Sequence, residues 1–185
     1  MPPKPWKLIS SRVNESYQIF NLRTDRYRSP RTNKEHDFYI LESIDWVNVI
    51  PITPKNEVVL IRQYRHGTRK ITLEIPGGIV EQNDSPEKAA QRELREETGY
   101  QASEMVPLGV VDPNPAFLNN QCYTYLARNA FLVGKQELDE MEDIEIVLRP
   151  LDEIPRLIRE GEITHSLVLA AFYRYYLEYL PSQSL

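Results

Sequence analysis

Cysteine is nearly absent from this chain. Cys122 stands alone among 185 residues, so no disulfide can close within the chain and nothing points to an oxidising compartment. Long apolar runs are missing too, and none reaches the roughly 20 residues that span a bilayer. The start, MPPKPWKLISSRV, lacks the apolar core of a signal peptide. A basic excess is also missing. Lys and Arg number 22 against 27 Asp and Glu, for a net charge of −5 with no long basic run, which speaks against nucleic acid as the main partner. The three histidines, His36, His66 and His165, show no metal spacing such as H-E-x-x-H. No internal repeat or interdomain linker stands out. These absences lead to the expectation of a soluble cytoplasmic protein, with neither nucleic acid nor membrane as partner, long enough for one domain with a sizeable core.

What the chain does have is a concentration of acid on one probable helix. In Arg92-Glu93-Leu94-Arg95-Glu96-Glu97 three carboxylates fall at spacings of three and four, which puts them on neighbouring positions of one helix face. Like charges so placed repel by roughly 0.2–0.5 kcal/mol per pair on an exposed helix. A hard cation turns that repulsion into attraction, because Mg²⁺, Mn²⁺ and Ca²⁺ prefer oxygen ligands. The alternative for a bare string of this kind is a solvated Glu/Arg face, since both residues favour exposed helix. The surroundings argue for the site. Glu74-Ile75-Pro76-Gly77-Gly78 comes just before, Ser85 is a good N-cap with Pro86 in the first turn, and Gly99 is a natural stop. Ala89, Ala90 and Leu94 form an apolar stripe suited to lying on a sheet.

The segment from Gly78 to Tyr100 resembles the Nudix box, G-x5-E-x7-R-E-U-x-E-E-x-G-U, where U is a bulky apolar residue. Gly78, Arg92, Glu93, Leu94, Glu96, Glu97 and Gly99 fill their positions. Asp84 stands where the family has its first glutamate, keeping the charge but shortening the reach. Tyr100 takes the last apolar place, and Asn83 replaces a glycine often found before that acid. The resemblance implies a fold and a chemistry. The fold is an α/β class Nudix sandwich, α/β/α with a mixed sheet. The chemistry is divalent-metal hydrolysis, with Mg²⁺ as cofactor and Mn²⁺ able to substitute. Glu93 and Glu97 would ligate the metal directly, Glu96 would share or bridge, and the backbone carbonyl of Gly77 would join the shell.

Along the chain, strands are predicted at 17–22, 37–42, 46–52, 57–65, 71–75, 105–111, 122–127 and 144–148, with turns at 24–35 and 53–56. Residues 112–115, Asp-Pro-Asn-Pro, are too proline-rich for a ladder. Helices are predicted in the box, at 151–160 and at 164–179. The expected domains are 1–43, an N-terminal β extension, and 44–185, the Nudix domain.

The layout looks most like the ADP-ribose pyrophosphatase and nucleotide-sugar branch of that family. The features are the extension, the strings VVLIRQYRHG and LEIPGG, and Pro115 about fifteen residues beyond the box. In that branch such an extension helps to build a homodimer, and its aromatics stack on adenine. Trp6 is the candidate for stacking here, and Trp46 is expected in the core. Arg65 is a candidate for a phosphate or base contact, with a sheet-edge cap as the alternative. Glu74 is a candidate substrate contact, with an ion pair to Arg65 or Arg69 as the alternative. The base that takes the proton from the attacking water must lie outside the metal shell. The resemblance places it on the acidic run 137–145, where alignment on the following strand favours Glu142, with Glu145 second. The implied substrate is a nucleoside diphosphate linked to another moiety, with ADP-ribose first and another nucleotide sugar such as a GDP-hexose next. A non-catalytic nucleotide sensor of the same fold is the reading from a different class. The presence of Glu93, Glu96 and Glu97 together weighs against it.

Overall fold

The computed structural model describes residues 2–179; residue 1 and residues 180–185, at the ends of the two expected domains, lie outside the described residues. The chain divides into two compact units. One holds the stretch up to Ile44 together with Asp112–Gln121, and the other holds Asp45–Val111 together with the chain from Cys122 onward. Residues 112–121, expected within the second domain, therefore cluster with the first unit. Among the described residues no helix is long and apolar enough to cross a membrane.

The first unit is a three-stranded antiparallel sheet in the order β1 (Lys7–Ser16), β2 (Phe20–Arg28) and β3 (Glu35–Ser43). Two expectations are corrected here. No strand was predicted where β1 lies, and a turn was predicted over residues 24–35, half of which is strand. Every residue of β1 is exposed, so the alternation of apolar and polar positions that reveals a half-buried strand is absent. Two arginines of β2 face acids across the ladder. Arg26 sits opposite Asp37, with nitrogen to oxygen 2.7 Å, and Arg28 opposite Glu35 at 2.6 Å. Opposite charges in direct register support a strand that looks too polar to be one. The true turn is shorter: Ser29 N–H donates to Lys34 O, and Asn33 takes a left-handed φ of 57°. The segment Asp112–Gln121 joins this unit through Leu41 N–H to Phe117 O at 2.8 Å and Ser43 N–H to Asn119 Oδ1 at 2.9 Å.

The second unit contains β4 (Trp46–Ile52), β5 (Glu57–Arg65), β6 (Lys70–Glu74), β7 (Gly77–Ile79), α1 (Pro86–Thr98), β8 (Tyr100–Gln101), β9 (Glu104–Val111), β10 (Cys122–Arg128), β11 (Phe131–Leu132), β12 (Ile144–Pro150), α2 (Ile154–Arg159) and α3 (Ser166–Tyr179). Its main sheet runs β12-β5-β4-β10-β9, with β10 parallel to β4 and the other pairs antiparallel. The expected helix at 151–160 is a 3-10 turn at Leu151–Glu153 followed by the short α2, with Pro155 in its first turn.

β4 and β5 pair at Ile52 and Val58, next to their hairpin, and then fork. β6 stays on β5 while β7 crosses to β4, pairing Trp46 with Ile79 and Asn48 with Gly77. Val49 N–H donates to Pro76 O in the crossing, at 2.9 Å. Helices cover both faces, as expected of an α/β/α sandwich. Side chains on a strand alternate between faces. Val47, Val49, Tyr125 and Ala127 pack with Ala89, Ala90 and Leu94 of α1. Ile50 and Leu126 pack instead with Ile154, Leu157, Val168 and Phe172 of α2 and α3. The two alanines of α1 lack bulk, which lets the helix lie close against the sheet.

α1 begins as the sequence indicates. The Ser85 side chain accepts Lys88 N–H at 3.2 Å, and Gly99 closes the helix at φ 70° with its N–H on Arg95 O. Ser85→Ala is expected to cost about 1 kcal/mol and Ser85→Gly a few tenths, the usual scale for an N-cap. Urea titration of both variants against the parent checks this, and equal midpoints for alanine and parent would contradict the cap.

Candidate active site

The fork in the sheet opens a space that the chain lines from several directions. A cleft of about 350 Å³ is lined by Trp46 and Asn48 of β4, Arg65 of β5, Glu74 of β6, Gly77 and Gly78 of β7, and His165 and Leu167 around the start of α3. That size falls within the range of ordinary small-molecule sites. Trp46, expected in the core, is half-buried and lines this cleft.

Glu93 and Glu97 project from α1 towards β7 and are buried, with 7% and 3% of their surface exposed. Gly77 N–H donates to Glu97 Oε2 at 2.8 Å. The Glu93 carboxylate lies so close to Gly78 that a Cβ there would overlap it. A Cβ on Gly77 would meet Val47 O, so the glycine pair is needed for close approach, and it stands in a short strand that was not predicted. Glycine is a poor strand residue on propensity, which is why the sequence did not reveal β7. Arg92 gathers the remaining acids. Its Nη1 lies 2.8 Å from Glu93 Oε1 and 3.2 Å from Glu96 Oε2, and its Nη2 donates to Ile79 O at 3.0 Å. Asp84, the shortened acid of the box, stands 3.6 Å from Arg92 Nε.

Burial raises the Glu93 pKa most strongly. The charge and hydrogen bond of Arg92 oppose this and Glu96 and Glu142 add to it, which brings Glu93 to about 7. Burial also drives Glu97 well above the ordinary carboxylate range. The Gly77 N–H opposes that shift, and Glu93 and Glu142 reinforce it. Two carboxylates held together out of water, with one arginine and one main-chain N–H to balance them, are a donor set that suits a hard divalent cation. The residues present therefore fit the metal that the sequence implies. Without a cation the acids do not close into a ready cage: among the described residues no cluster of three or more His, Cys, Asp or Glu stands at metal-holding spacing. Glu96 is turned to Arg92.

The structure brings Glu93, Glu96, Glu97 and Gly77 together, and the charge of Glu142 reaches both buried glutamates. Glu142 sits in a turn, where its Oε2 accepts Asp139 N–H at 3.0 Å. Glu145 faces elsewhere, on β12, and meets Arg62 at 3.2 Å. Arg65 and Glu74 pair with each other, the first of the alternatives open for Glu74. Arg65 Nε and Nη2 donate to the two Glu74 oxygens at 2.9 and 2.7 Å, and the Thr72 hydroxyl donates to Oε1 at 2.6 Å. Burial works to raise the Glu74 pKa, but these partners outweigh it and hold it below its usual value. Trp6 belongs to the first unit, 42% exposed, with its ring edge-on to His36 and Phe38 at centroid distances of 5.9 and 5.5 Å.

Three residues in or beside the site were not singled out from the sequence. Arg92 was seen as part of the box but not as the group that neutralises its acids. Its spacing of four from Glu96 was the available signal. His165 lines the cleft, and its Nδ1 accepts Leu167 N–H at 3.2 Å. Burial lowers its pKa, partly countered by the charge of Glu74 and reinforced by that of Arg65. Asn48 donates Nδ2–H to Leu167 O at 3.3 Å, and its buried Oδ1 finds no hydrogen-bond partner among the described residues. Neither His165 nor Asn48 lies in a pattern that a single sequence makes visible.

With this geometry in view, the comparisons with known proteins are consistent. The NUDIX domain model matches residues 44–172. The chain is 32% identical over 176 residues to the methanol dehydrogenase activator of Bacillus methanolicus, covering 89% of this chain and 92% of that protein. It is 30% identical over 175 residues to an ADP-ribose pyrophosphatase of Mycobacterium tuberculosis, covering 92% and 83%. In structure it is similar to a crystal structure of an ADP compounds hydrolase, with a TM-score of 0.84, 20% identity, and 100% and 98% of the two chains covered, which supports the fold. The chain belongs to the Nudix family. The expected α/β sandwich and the expected Nudix hydrolase class are both met.

The raised carboxyls have a consequence for stability. A carboxyl whose folded pKa exceeds its unfolded value holds its proton longer when folded, so its contribution to stability falls as pH rises from the ordinary carboxylate value of 4.5 through about 7. In metal-free protein, Glu97→Gln is expected to raise Tm over the parent by a margin that widens as pH rises above the ordinary carboxylate value, and excess Mg²⁺ should stabilise the parent more than the variant. Thermal melts at several pH values, with and without Mg²⁺, measure this. A variant less stable than the metal-free parent throughout would contradict it.

Proposed function

We propose that this Nudix hydrolase cleaves the diphosphate bond of ADP-ribose, with water, to AMP and ribose 5-phosphate, using Mg²⁺ or in its place Mn²⁺. The observation that carries the reading is the meeting of two elements at one place. Gly77 and Gly78 line the cleft, and the same two glycines touch the buried carboxylates of Glu97 and Glu93. A cleft of small-molecule size thus opens directly beside a cation-demanding pair of acids. The choice of ADP-ribose rests on the branch features of the sequence and on the name borne by the Mycobacterium tuberculosis relative.

Each residue has a role in this reading. Glu93, Glu97, Glu96 and the Gly77 carbonyl would hold the cation, with Glu96 exchanging its bond to Arg92 for it. A bound divalent cation supplies neutralisation of the diphosphate and acidifies the attacking water. Glu142, outside that shell but close enough for its charge to reach it, accepts the proton from the water. Arg65, oriented by Glu74, presents its guanidinium to the cleft for a phosphate or base. Trp6 stacks on the nucleobase in a neighbouring copy of the chain. A homodimer through the N-terminal unit is part of the proposal, supported by the apolar side chains this unit exposes, among them Leu8, Val13 and Phe38. A cytoplasmic setting is proposed on the single, buried Cys122.

Two experiments test this. In a screen of ADP-ribose, GDP-hexoses and dinucleotides, ADP-ribose is expected to turn over fastest. EDTA should abolish the reaction and Mg²⁺ should restore it. In the same assay Glu142→Gln should lower kcat by about 10²–10⁴-fold, the range for a general base, with KM little changed and Glu145→Gln mild. Metal-independent turnover would overturn the site, and a crippling Glu145→Gln beside a mild Glu142→Gln would move the base by three residues. Light scattering is expected to give a dimer mass, and a fully active monomer would contradict the N-terminal assignment.

A further inference from the structure

The segment that carries Glu142 is an acidic run, Glu137, Asp139, Glu140, Glu142 and Asp143, whose like charges oppose any compact arrangement. The hydrogen bonds inside it are local to one turn, Glu142 N–H to Asp139 O and Asp139 N–H to Glu142 Oε2. It is tied to α1 at Glu137, whose carboxylate accepts from Arg95 Nη2 at 3.1 Å, and by the residue just before it. Gln136 Nε2 donates to Glu97 O at 2.7 Å and to Ile144 O at 3.0 Å. One amide nitrogen therefore joins the last turn of α1 to the first residue of β12, and closes the acidic run into a loop between them.

The orientation of this amide is not arbitrary. Both partners are carbonyl oxygens, so only the NH₂ end of the side chain can face them. The last carbonyls of a helix have no partner within the helix. Here Arg95 O takes Gly99 N–H, Glu96 O takes Glu137 N–H at 2.8 Å, and Glu97 O takes Gln136. The two carbonyls bound by the loop belong to the residues whose side chains form the carboxylate site.

We propose that Gln136 is a positioning residue for catalysis, a strap that sets the Glu142 carboxylate at a fixed distance from the Glu93 and Glu97 pair. This rests on the reading of Glu142 as the base. Gln136 touches no substrate atom and acts by holding the loop.

Gln136→Glu is the sharpest variant, since it keeps shape and length but turns a carboxylate oxygen towards two carbonyls. Gln136→Met, which removes the bonds without adding charge, keeps the test open if the first variant does not fold. Expected for either is a fall in kcat of about 10–100-fold, the scale of a small misplacement of a reacting group, with KM and the Mg²⁺ concentration for half-activation within about twofold of the parent. In a Glu142→Gln background the same change should cost almost nothing further, because the group it positions is already gone. Hydrogen exchange on the metal-free protein should show faster exchange at 137–143 and no change at 87–95. An equal loss of kcat in both backgrounds, or unaltered exchange at 137–143, would overturn the strap. If Glu142→Gln keeps full turnover, the assignment of the base fails separately, and exchange at 137–143 then decides whether the strap exists.

Discussion

Two carboxylates held side by side out of water set the terms for the rest of the second unit. Removing an ionised carboxylate from water is expensive unless it is paired, and Glu93 and Glu97 also repel each other. The surroundings supply just enough compensation to keep them there. Arg92 lies against one, a main-chain N–H against the other, and glycines stand where any side chain would collide. The same buried face of α1 carries Ala89, Ala90 and Leu94, each three or four residues from one of these acids, and they are fixed on Val47, Val49 and Ala127. On this one face the apolar side chains are satisfied by the sheet and the two acids are left in deficit. A ligand that brings positive charge would relieve that deficit.

The fork between β4 and β5 serves the same end by a different route. Strands that stayed paired along their whole length would leave no room at the sheet's centre. By parting after Ile52 and Val58 they admit β6 and β7, and the crossing at Ile75 and Pro76 delivers Glu74 and Gly77 three residues apart to the same cleft. Glu74 holds Arg65 in a two-pronged bond, the geometry in which a guanidinium loses least freedom when it meets a further anion.

Much of this was legible in the residues and the rest was not, for reasons that differ from place to place. β4 and β5 were readable to the residue because their apolar runs end in the turn Thr53-Pro54-Lys55-Asn56, and α1 because Ser85 and Gly99 mark its ends. The spacing of the acids on α1 was visible because helix periodicity is strict. β1 and β7 were not visible: one buries none of its residues and the other is two-thirds glycine. The role of Arg92, and Gln136 altogether, escaped notice for a further reason. Their importance lies in what they touch, Glu96 and Ile79 O in one case and two distant carbonyls in the other, and contacts between separated segments leave no trace in a single sequence. His165 is of the same kind, since nothing before α3 distinguishes it from a residue at any helix start.

The first unit is discontinuous along the chain, and this bears on how the protein comes into being. Its sheet is complete by Ser43, yet the segment that joins Leu41, Ser43 and Ile44 is not made until Asp112–Gln121 has been translated. A ribosome therefore synthesises β4 to β9 and the whole of α1 before the N-terminal sheet can acquire its last hydrogen bonds. The strands at the start of the chain wait, unfinished, on a segment inserted into the middle of its neighbour. A fragment cut after Ile44 would be a sheet with its closing piece missing.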